Sequence, residues 1–263
     1  MNLTEETLKE RLAGKKFGGL VRYFHEIDST NIMACRLARD GAPEGTIVVA
    51  DAQGKGKGRL NRVWQSPPGR NLYVSIILRP RIDPPTAPQL TLVAGVAVAE
   101  LLASCGLKDV TIKWPNDVLI SGKKVCGILT EMHSSARGVD FIVLGIGLNI
   151  NMNREDFEPA LGNIATSLKI ETGKTHDRIE IISGLLNLIE TWYRIFLRAG
   201  FPGVRDAWLR HAGILGRPIR VVFREDTQTG VVMGIDDDGT IVMKVADGTT
   251  QRVIAGDVYL LKE

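Results

Sequence analysis

The first 150 residues alternate between short apolar runs and turns rich in glycine, proline or charge. An apolar position at every second residue, with many β-branched and aromatic side chains, is typical of strands. On this basis strands are predicted at 20–24, 46–50, 71–79, 110–113, 117–120, 124–132 and 139–149. Apolar spacings of three and four residues predict helices at 5–13, 32–40, 89–105 and 177–200. The chain therefore interleaves strands with helices.

The helix predicted at 89–105 is apolar on almost every side, which raises the question of a membrane span. A spanning helix needs roughly 20 consecutive apolar residues. The richest part, 90–102, is shorter and carries Thr91 and Glu100. This pattern predicts a helix buried inside the protein, and no membrane partner is expected.

The pattern changes near residue 214. Short β runs follow at 219–223, 230–235, 241–245 and 251–254, divided by Glu225-Asp226 and by an Asp-rich turn at 236–239. Strands at roughly ten-residue spacing indicate a small barrel. We therefore expect two domains, at 1–214 and 215–263.

Length and composition limit the functions that need to be considered. With 263 residues and 44% apolar content, the chain can bury a full core. Its formal charge of +3 is too small for general nucleic-acid binding, so any basic site must be local. The three cysteines form no CxxC pair, and the acidic first residues lack the apolar core of a signal peptide. A reducing, cytoplasmic location is expected.

The most unusual stretch is the basic loop, residues 53–64, which lies between two predicted strands. It reads Gln-Gly-Lys-Gly-Lys-Gly-Arg-Leu-Asn-Arg-Val-Trp. Glycine lets a backbone approach a ligand closely, and lysine and arginine bind phosphates and carboxylates. Alone, such a loop is more often a solvated hairpin. Trp64 at its end and a second motif downstream favour a binding site.

That second motif is 113–117, Lys-Trp-Pro-Asn-Asp. Its proline favours an extended residue before it, which places the motif at a strand end where its lysine, asparagine and aspartate can share one cleft. The hairpin predicted around Gly122 brings Lys124 close to them. A proline turn with an aromatic plug, and a solvated Lys124, remain the alternatives.

Two further segments have both a structural and a functional interpretation. Residues 29–31, Ser-Thr-Asn, can cap the helix that follows or face a ligand, and the two roles are compatible. Residues 145–151, Gly-Ile-Gly-Leu-Asn-Ile-Asn, can be a strand with close backbone approach or a binding strand whose Asn149 faces a ligand.

Several other nucleotide-site and catalytic patterns are excluded. Residues 173–175, Gly-Lys-Thr, end like a P-loop, but Leu168 stands where its first glycine belongs. The Gly-x-Gly at 145–147 lacks the third glycine of a dinucleotide fingerprint. The four histidines are scattered, and no triad with serine and aspartate is visible.

Taken together, these segments resemble the biotin–protein ligase family, also named biotin–[acetyl-CoA-carboxylase] ligases. The matching segments, in the order of the family, are 28–31, Gln53, 56–64, 113–117, 124–131 and 145–149. The C-terminal β region fits as well, so the resemblance covers nearly the whole chain. The joint signal is highly specific although each segment is weak alone.

The resemblance implies an α/β (α+β) fold with a mixed-sheet catalytic domain of the biotin/lipoate ligase type and an SH3-like β-barrel C-terminal domain. It implies biotin, ATP and Mg²⁺ as ligands and a biotin carboxyl carrier domain of acetyl-CoA carboxylase as acceptor. A homodimer is compatible with it, since members are often dimeric. The DNA-binding domain of members that act as repressors has no counterpart, so DNA is not expected as a partner.

By matching positions, the resemblance assigns roles to thirteen residues. Biotin is expected against Ser29, Thr30, Asn31, Gln53, Lys57, Gly58, Arg59 and Lys124. ATP and the adenylate are expected against Lys57, Arg59, Trp64, Lys113, Asn116 and Asn149. The residues expected to be catalytic are Arg59, Lys113, Asp117 and Lys124, with Asp117 near the attacking lysine of the acceptor. Mg²⁺ is expected to be held mainly by the phosphates.

The sequence also departs from the family pattern. Lys57 stands where an arginine is common, and Asn61 where a further glycine is common. A lysine is a point charge, so a two-pronged contact at residue 57 is not expected. The tryptophan on which some members stack adenine, near 164–168, is missing, which leaves the adenine contact open.

The residue chemistry fits adenylate formation. A carboxylate and ATP repel each other, so cations placed where charge develops lower the barrier. A basic loop that orders over the mixed anhydride would protect it from water. Two alternatives remain: a lipoate or octanoate ligase or transferase, and a non-enzymatic nucleotide- or RNA-binding module that uses the basic loop.

Overall fold

A computed structural model describes residues 3–136 and 138–261, except for the side chain of Asn61. In these residues the helices are α1 (Glu5–Arg11), α2 (Thr30–Arg39), α3 (Gln89–Ser104), α4 (Leu168–Thr172), α5 (Arg178–Ala199) and α6 (Pro202–Arg210). The strands are β1 (Val21–Ile27), β2 (Ile47–Gln53), β3 (Leu72–Leu78), β4 (Val110–Lys113), β5 (Asp117–Ile120), β6 (Lys123–Ser135), β7 (Gly138–Leu148), β8 (Pro218–Phe223), β9 (Asp226–Ile235), β10 (Ile241–Lys244), β11 (Thr250–Val253) and β12 (Asp257–Leu260).

The first seven strands form one mixed sheet in the order β1-β2-β3-β7-β6-β5-β4. β1 and β2 are parallel and are connected through α2, whereas all other neighbours are antiparallel. Parallel neighbours need such a crossover, while a hairpin suffices for antiparallel ones. The mixed sheet implied by the family resemblance is therefore confirmed.

Helices cover both faces of this sheet. Ile76 and Ile77 of β3 belong to different cores, because alternate side chains of a strand point to opposite faces. On one face α2 packs through Ala34 and Ala38 against β2, β3 and β7. On the other face α3 and α5 pack in the larger core. Strand β3 is consequently buried at every position.

Helix α3 is the apolar helix noted in the sequence, and it lies in the core as predicted. Eleven of its 16 residues are buried. Together with the 3₁₀ turn before it, α3 forms the stretch Pro84–Ser104, which is the one helical stretch of the described chain long and apolar enough to cross a membrane. Of its most apolar 18 residues, 67% are buried in the fold. Burial against the sheet and α5 accounts for its composition.

The remaining strands, β8 to β12, form a second, antiparallel sheet in the order β11-β10-β9-β8-β12. Four of them follow the predicted runs. Strand β9 begins earlier than predicted, because Asp226 belongs to it and the chain turns at Arg224, where φ is +56°. Strand β12 was not predicted, since its alternation covers only four residues.

Two helices were also missed. Helix α4 has five residues and is too short to show a period. Helix α6 follows Gly200 directly and begins with Pro202, a residue favoured in the first turn of a helix. Strand β1 extends to Ile27, three residues beyond the predicted end. None of these differences moves a residue assigned to the site.

The second sheet is attached to the β4 edge of the first. The Trp114 indole donates to the Gly239 carbonyl over 3.1 Å. Asp257 of β12 also pairs with Arg59 and Arg62, which brings this strand to the end of the main sheet where the basic loop and the 113–117 motif lie.

Candidate active site

One cavity, about 570 Å³ in volume, lies at this end of the main sheet. The N-terminus of α2, the basic loop, the β4–β5 turn, parts of β6 and β7, and strand β12 form its wall. All thirteen residues to which the sequence assigns a role line it: Ser29, Thr30, Asn31, Gln53, Lys57, Gly58, Arg59, Trp64, Lys113, Asn116, Asp117, Lys124 and Asn149. Segments far apart in the chain therefore converge on one site, as the sequence motifs predict.

At one end the cavity is lined by Ser29, Thr30, Asn31 and Gln53, which we call the head pocket. Ser29 occupies the N-cap position of α2, yet its hydroxyl makes no capping hydrogen bond. The amide and hydroxyl of Thr30 donate to Gln53 Oε1 over 2.9 and 3.2 Å. Helix capping alone therefore does not explain the Ser-Thr-Asn run, because its polar groups serve the cavity wall.

Asn31 is held by two strands behind the head pocket. Its Nδ2 donates to the Glu131 carboxylate over 2.7 Å and to the Leu129 carbonyl over 3.3 Å. The Ser75 hydroxyl donates to Asn31 Oδ1 over 2.6 Å. Neither Ser75 nor Glu131 was predicted to have a role in the site. For Ser75 the sequence did contain a signal, because it is the one small polar residue in a strand of buried apolar residues.

Glycines on β6 and β7 make room for two of the lining side chains. A Cβ at Gly145 would lie 2.8 Å from the amide carbon of Asn31. Gly127 and Gly147 are register partners, and a Cβ on either would approach the Trp64 indole to 2.9 and 2.5 Å. Close approach, one of the two interpretations of the Gly-x-Gly segment, is therefore confirmed.

Asn149, the basis of the other interpretation, also lines the cavity. Its Nδ2 donates to the Thr166 carbonyl over 3.0 Å. The same segment of chain bonds β6, where the Lys124 amide donates to the Ile164 carbonyl over 2.8 Å. Asn149 thus attaches the 164–166 segment to the rim of the cavity.

The basic loop is a compact hairpin. Lys57 and Val63 form an antiparallel bridge, and the Gly58 amide donates to the Arg62 carbonyl over 2.7 Å. Leu60 at its tip has a φ of +53°, in the left-handed region, and is 71% exposed. The hairpin directs its arginines back toward the C-terminal sheet.

Arg59 connects the loop to two other parts of the site. Its Nη1 donates to Asn116 Oδ1 over 3.1 Å, and its Nη2 donates to the Gly256 carbonyl over 3.4 Å. Arg59 Nη1 also lies 3.6 Å from Asp257 Oδ1, and Arg62 forms an ion pair with the same carboxylate. Strand β12 was not predicted as part of the site, yet its residues line the cavity.

The 113–117 motif and the β5–β6 hairpin place two lysines at the same end. Lys124 Nζ lies 2.7 Å from Asp117 Oδ1 and 5.3 Å from the centre of the Trp64 ring. Lys113 Nζ lies 5.6 Å from the centre of the Tyr259 ring. Burial lowers the pKa of Lys113, and the nearby Asp117 opposes that shift. We call Arg59, Lys113 and Lys124 the cationic end.

The cavity thus combines a neutral head pocket with a cationic end. It can hold an uncharged polar ring at the first and a carboxylate or polyphosphate at the second. In the described part of the chain, no three His, Cys, Asp or Glu side chains cluster as metal ligands. Mg²⁺ keeps several waters and binds through one or two carboxylates plus substrate phosphates, and the Asp117 carboxylate on the cavity wall is a donor of this kind.

Comparison with known families agrees with the geometry. The model of the biotin/lipoate A/B protein ligase family matches residues 23–149, and the model of the biotin protein ligase C-terminal domain matches residues 214–261. The first covers the head pocket, the basic loop and the cationic end. The second covers the five-stranded sheet, which is the SH3-like domain.

Relatives and solved structures narrow the class. The chain is 38% identical to the bifunctional ligase/repressor BirA of Bacillus spizizenii, over 98% of this chain and 79% of that protein. It is 36% identical to the biotin–[acetyl-CoA-carboxylase] ligase of Paracoccus denitrificans, over 88% and 97%. The biotin protein ligase of Aquifex aeolicus, solved with biotin and ATP, superposes with a TM-score of 0.80 at 30% identity, over 93% and 99%.

These findings define first an enzyme of the biotin/lipoate ligase class. Within that class, the chain belongs to the biotin protein ligase family. The lipoate or octanoate alternative is not favoured, since the relatives named above are biotin ligases.

Proposed function

We propose that the protein joins biotin to ATP as biotinyl-5′-AMP and transfers the biotinyl group to one lysine of the biotin carboxyl carrier domain of acetyl-CoA carboxylase. The observation that carries the proposal is the cavity itself, in which a neutral head pocket and a cationic end share one wall. A relative named as a ligase of acetyl-CoA carboxylase and one solved with biotin and ATP support it.

In the first step the biotin carboxylate attacks the α-phosphorus of ATP, and pyrophosphate leaves. A carboxylate is already ionised at pH 7, so no base is needed. The barrier is the repulsion between two anions, which Arg59, Lys113 and Lys124 reduce. In the structure these cations contact Asp257, the Tyr259 ring and Asp117, contacts that an incoming anion replaces.

In the second step the acceptor lysine attacks the carbonyl carbon of the adenylate, and AMP leaves. A lysine amine is mostly protonated at pH 7 and must lose a proton first. We assign Asp117 to hold this amine or help deprotonate it. Asp117 lies on the cavity wall beside Lys124, with 18% of its side chain exposed.

The other residues are given the roles that the family resemblance implies, and their position on the cavity wall supports these roles. Ser29, Thr30, Asn31 and Gln53 hold the biotin ring. Lys57 and Gly58 of the basic loop contact biotin, and Lys57 also contacts the phosphate of the adenylate. Trp64, Asn116 and Asn149 contact the nucleotide, for which the Trp64 indole over Gly127 and Gly147 supplies an aromatic surface. Mg²⁺ is held mainly by the phosphates.

We also propose a catalytic domain at 1–214 and a C-terminal domain at 215–263. Two separate sheets support this division. A cytoplasmic location, a homodimer and the absence of DNA and membrane partners complete the proposal. Light scattering on the purified chain, with and without biotin and ATP, tests the oligomeric state.

Mass spectrometry tests the central activity. An apo carrier domain is incubated with the chain, biotin, ATP and magnesium. We expect one added biotinyl group, and none on a carrier whose acceptor lysine is replaced by arginine. Two results together contradict the proposal: the carrier gains no mass, and neither biotin nor octanoate stimulates the release of pyrophosphate from ATP.

The same preparation tests the non-enzymatic alternative. A nucleotide- or RNA-binding module would bind RNA with a steep salt dependence and release no pyrophosphate. We expect pyrophosphate release that requires biotin.

A further inference from the structure

Two side chains that do not line the cavity control the hydrogen bonds of those that do. Ser75 of β3 is fully buried and contacts the oxygen of the Asn31 amide, whereas the half-buried Glu131 of β6 contacts its nitrogen. Neither contacts the space in which a ligand would lie. Any effect they have on a ligand must therefore pass through Asn31 and Thr30.

The orientation of the Asn31 amide follows from its partners. The Glu131 carboxylate and the Leu129 carbonyl can only accept, so the NH₂ side of the amide must face them. The oxygen side then faces Ser75, whose hydroxyl supplies the single proton between them. A flipped amide would put its NH₂ at Ser75 and leave two acceptors facing an oxygen.

The hydrogen-bond partners of Gln53 also fix the orientation of its side-chain amide. The Thr30 backbone amide can only donate, so the oxygen of the Gln53 side chain must face it. Gln53 Nε2 then donates to Ser66 Oγ over 3.0 Å, and Ser66 donates to the Trp64 carbonyl over 2.9 Å. Both amides of the head pocket therefore have one allowed orientation.

The result is a pocket that offers oxygen acceptors. The Ser75 hydroxyl lies 2.8 Å from Thr30 Oγ1 and 2.6 Å from Asn31 Oδ1, and its one proton goes to the nearer of these two lining oxygens, that of Asn31. An amide oxygen and a hydroxyl oxygen each have a second acceptor site. A ligand ring that carries N–H groups can use those sites, whereas a hydrocarbon or dithiolane head cannot.

We propose that Glu131, acting together with Ser75 through the Asn31 amide, is a positioning residue that makes the head pocket select a ring with N–H donors over an apolar acyl head. This rests on the proposed function and specifies why the site takes biotin, whose ureido ring has two N–H groups. A site built to hydrogen-bond its substrate rejects an analogue without the donor strongly, because its own polar groups would be left unpaired.

The test compares Glu131→Met, which removes the acceptor, with Glu131→Gln, which keeps one at similar size. Calorimetry measures the affinity for biotin, for desthiobiotin, which has the same ureido ring, and for octanoate, which has no N–H. We expect Glu131→Met to weaken biotin and desthiobiotin roughly 10- to 100-fold, the effect of leaving one buried polar group unpaired. Octanoate affinity and the KM for ATP stay within about twofold, and Glu131→Gln restores biotin binding.

Controls separate this role from a loss of folding. Glu225→Met changes an exposed carboxylate in a turn of the C-terminal sheet and leaves all affinities unchanged. Ser75→Ala, which removes the donor to Asn31, shows the same selective loss as Glu131→Met. Loss of biotin and octanoate in parallel, or wild-type biotin affinity in Glu131→Met, overturns the assignment. A wild-type chain that binds no biotin overturns the proposed function instead.

Discussion

The head pocket and the cationic end lie in one cavity but are held together by different physics. In the head pocket, hydrogen bonds among side chains, one of them to the Glu131 carboxylate, fix each amide in one orientation. At the cationic end, partly buried cations rest on carboxylates and aromatic rings. Hydrogen bonds of the first kind are preorganised, whereas ion pairs of the second kind can be exchanged for a ligand. Under the proposed function, the head pocket selects the substrate and the cationic end performs the chemistry.

The largest expected effect comes from removing a cation. We expect Lys124→Ala to lower the rate of adenylate formation on the order of 10²- to 10³-fold, the usual effect of losing one group that stabilises developing charge. Biotin affinity should fall much less. Single-turnover pyrophosphate release and calorimetry measure the two quantities. Lys123→Ala, on the neighbouring residue that does not line the cavity, is the matched control.

The next largest effect is expected from a substitution that disrupts the head pocket. Gly145→Ala would put a methyl group against the Asn31 amide. We expect roughly tenfold weaker biotin binding and a loss of about 1–3 kcal/mol in the free energy of unfolding, because the strand and helix must separate. Gly234→Ala, where a Cβ meets nothing within 4 Å, should change neither quantity. Equal biotin affinity in both variants would contradict the proposed close packing.

A smaller effect concerns pH. Burial lowers the pKa of Lys113 from its reference of 10.5. Below the lowered pKa the folded chain carries the full cost of a buried ammonium, and stability rises between the lowered and the reference pKa, because the unfolded state then binds more protons. Neutral Lys113 attracts phosphate less, so kcat/KM for ATP should begin to fall at a lower alkaline pH than the titration of a free lysine would give. In Lys113→Arg the alkaline decrease in kcat/KM should shift to higher pH, since arginine stays charged.

The smallest expected effect tests the link to the C-terminal domain. Asp257→Asn removes the carboxylate that pairs with Arg59 and Arg62. We expect the KM for ATP to change by about threefold, with less change at high salt, because the Arg62 partner is exposed and salt screens its charge. Trypsin should also cut the basic loop faster. The control is Asp237→Asn, because Asp237 pairs with Arg205 outside the cavity and its carboxylate is 71% exposed.

The sequence predicted long, strongly patterned elements better than it predicted contacts. Helix α5 has enough residues to show its period, and α3 and β3 are recognisable as continuous apolar runs. Strand β12 has four residues, and its importance comes from Asp257 meeting an arginine almost 200 positions earlier, which no local pattern records. The thirteen residues with predicted roles were identified through the family resemblance, because each motif alone is ambiguous.

Ser75 and Glu131 show why the rest could not be predicted. Ser75 is a polar residue in an apolar strand and Glu131 stands in a strand with an ordinary pattern, but the partner of each is known only when the sheet register and α2 bring it to Asn31. The orientation of an amide depends on partners from three elements, and such an arrangement is a property of the fold rather than of any segment.

The most direct test of the division between the two ends is a crystal structure of the chain with biotin and a non-hydrolysable ATP analogue. We predict the ureido ring against Thr30 and Asn31, with the biotin carboxylate and the α-phosphate beside Arg59 and Lys124. A biotin ring at the cationic end, or a triphosphate away from those two side chains, would contradict the account.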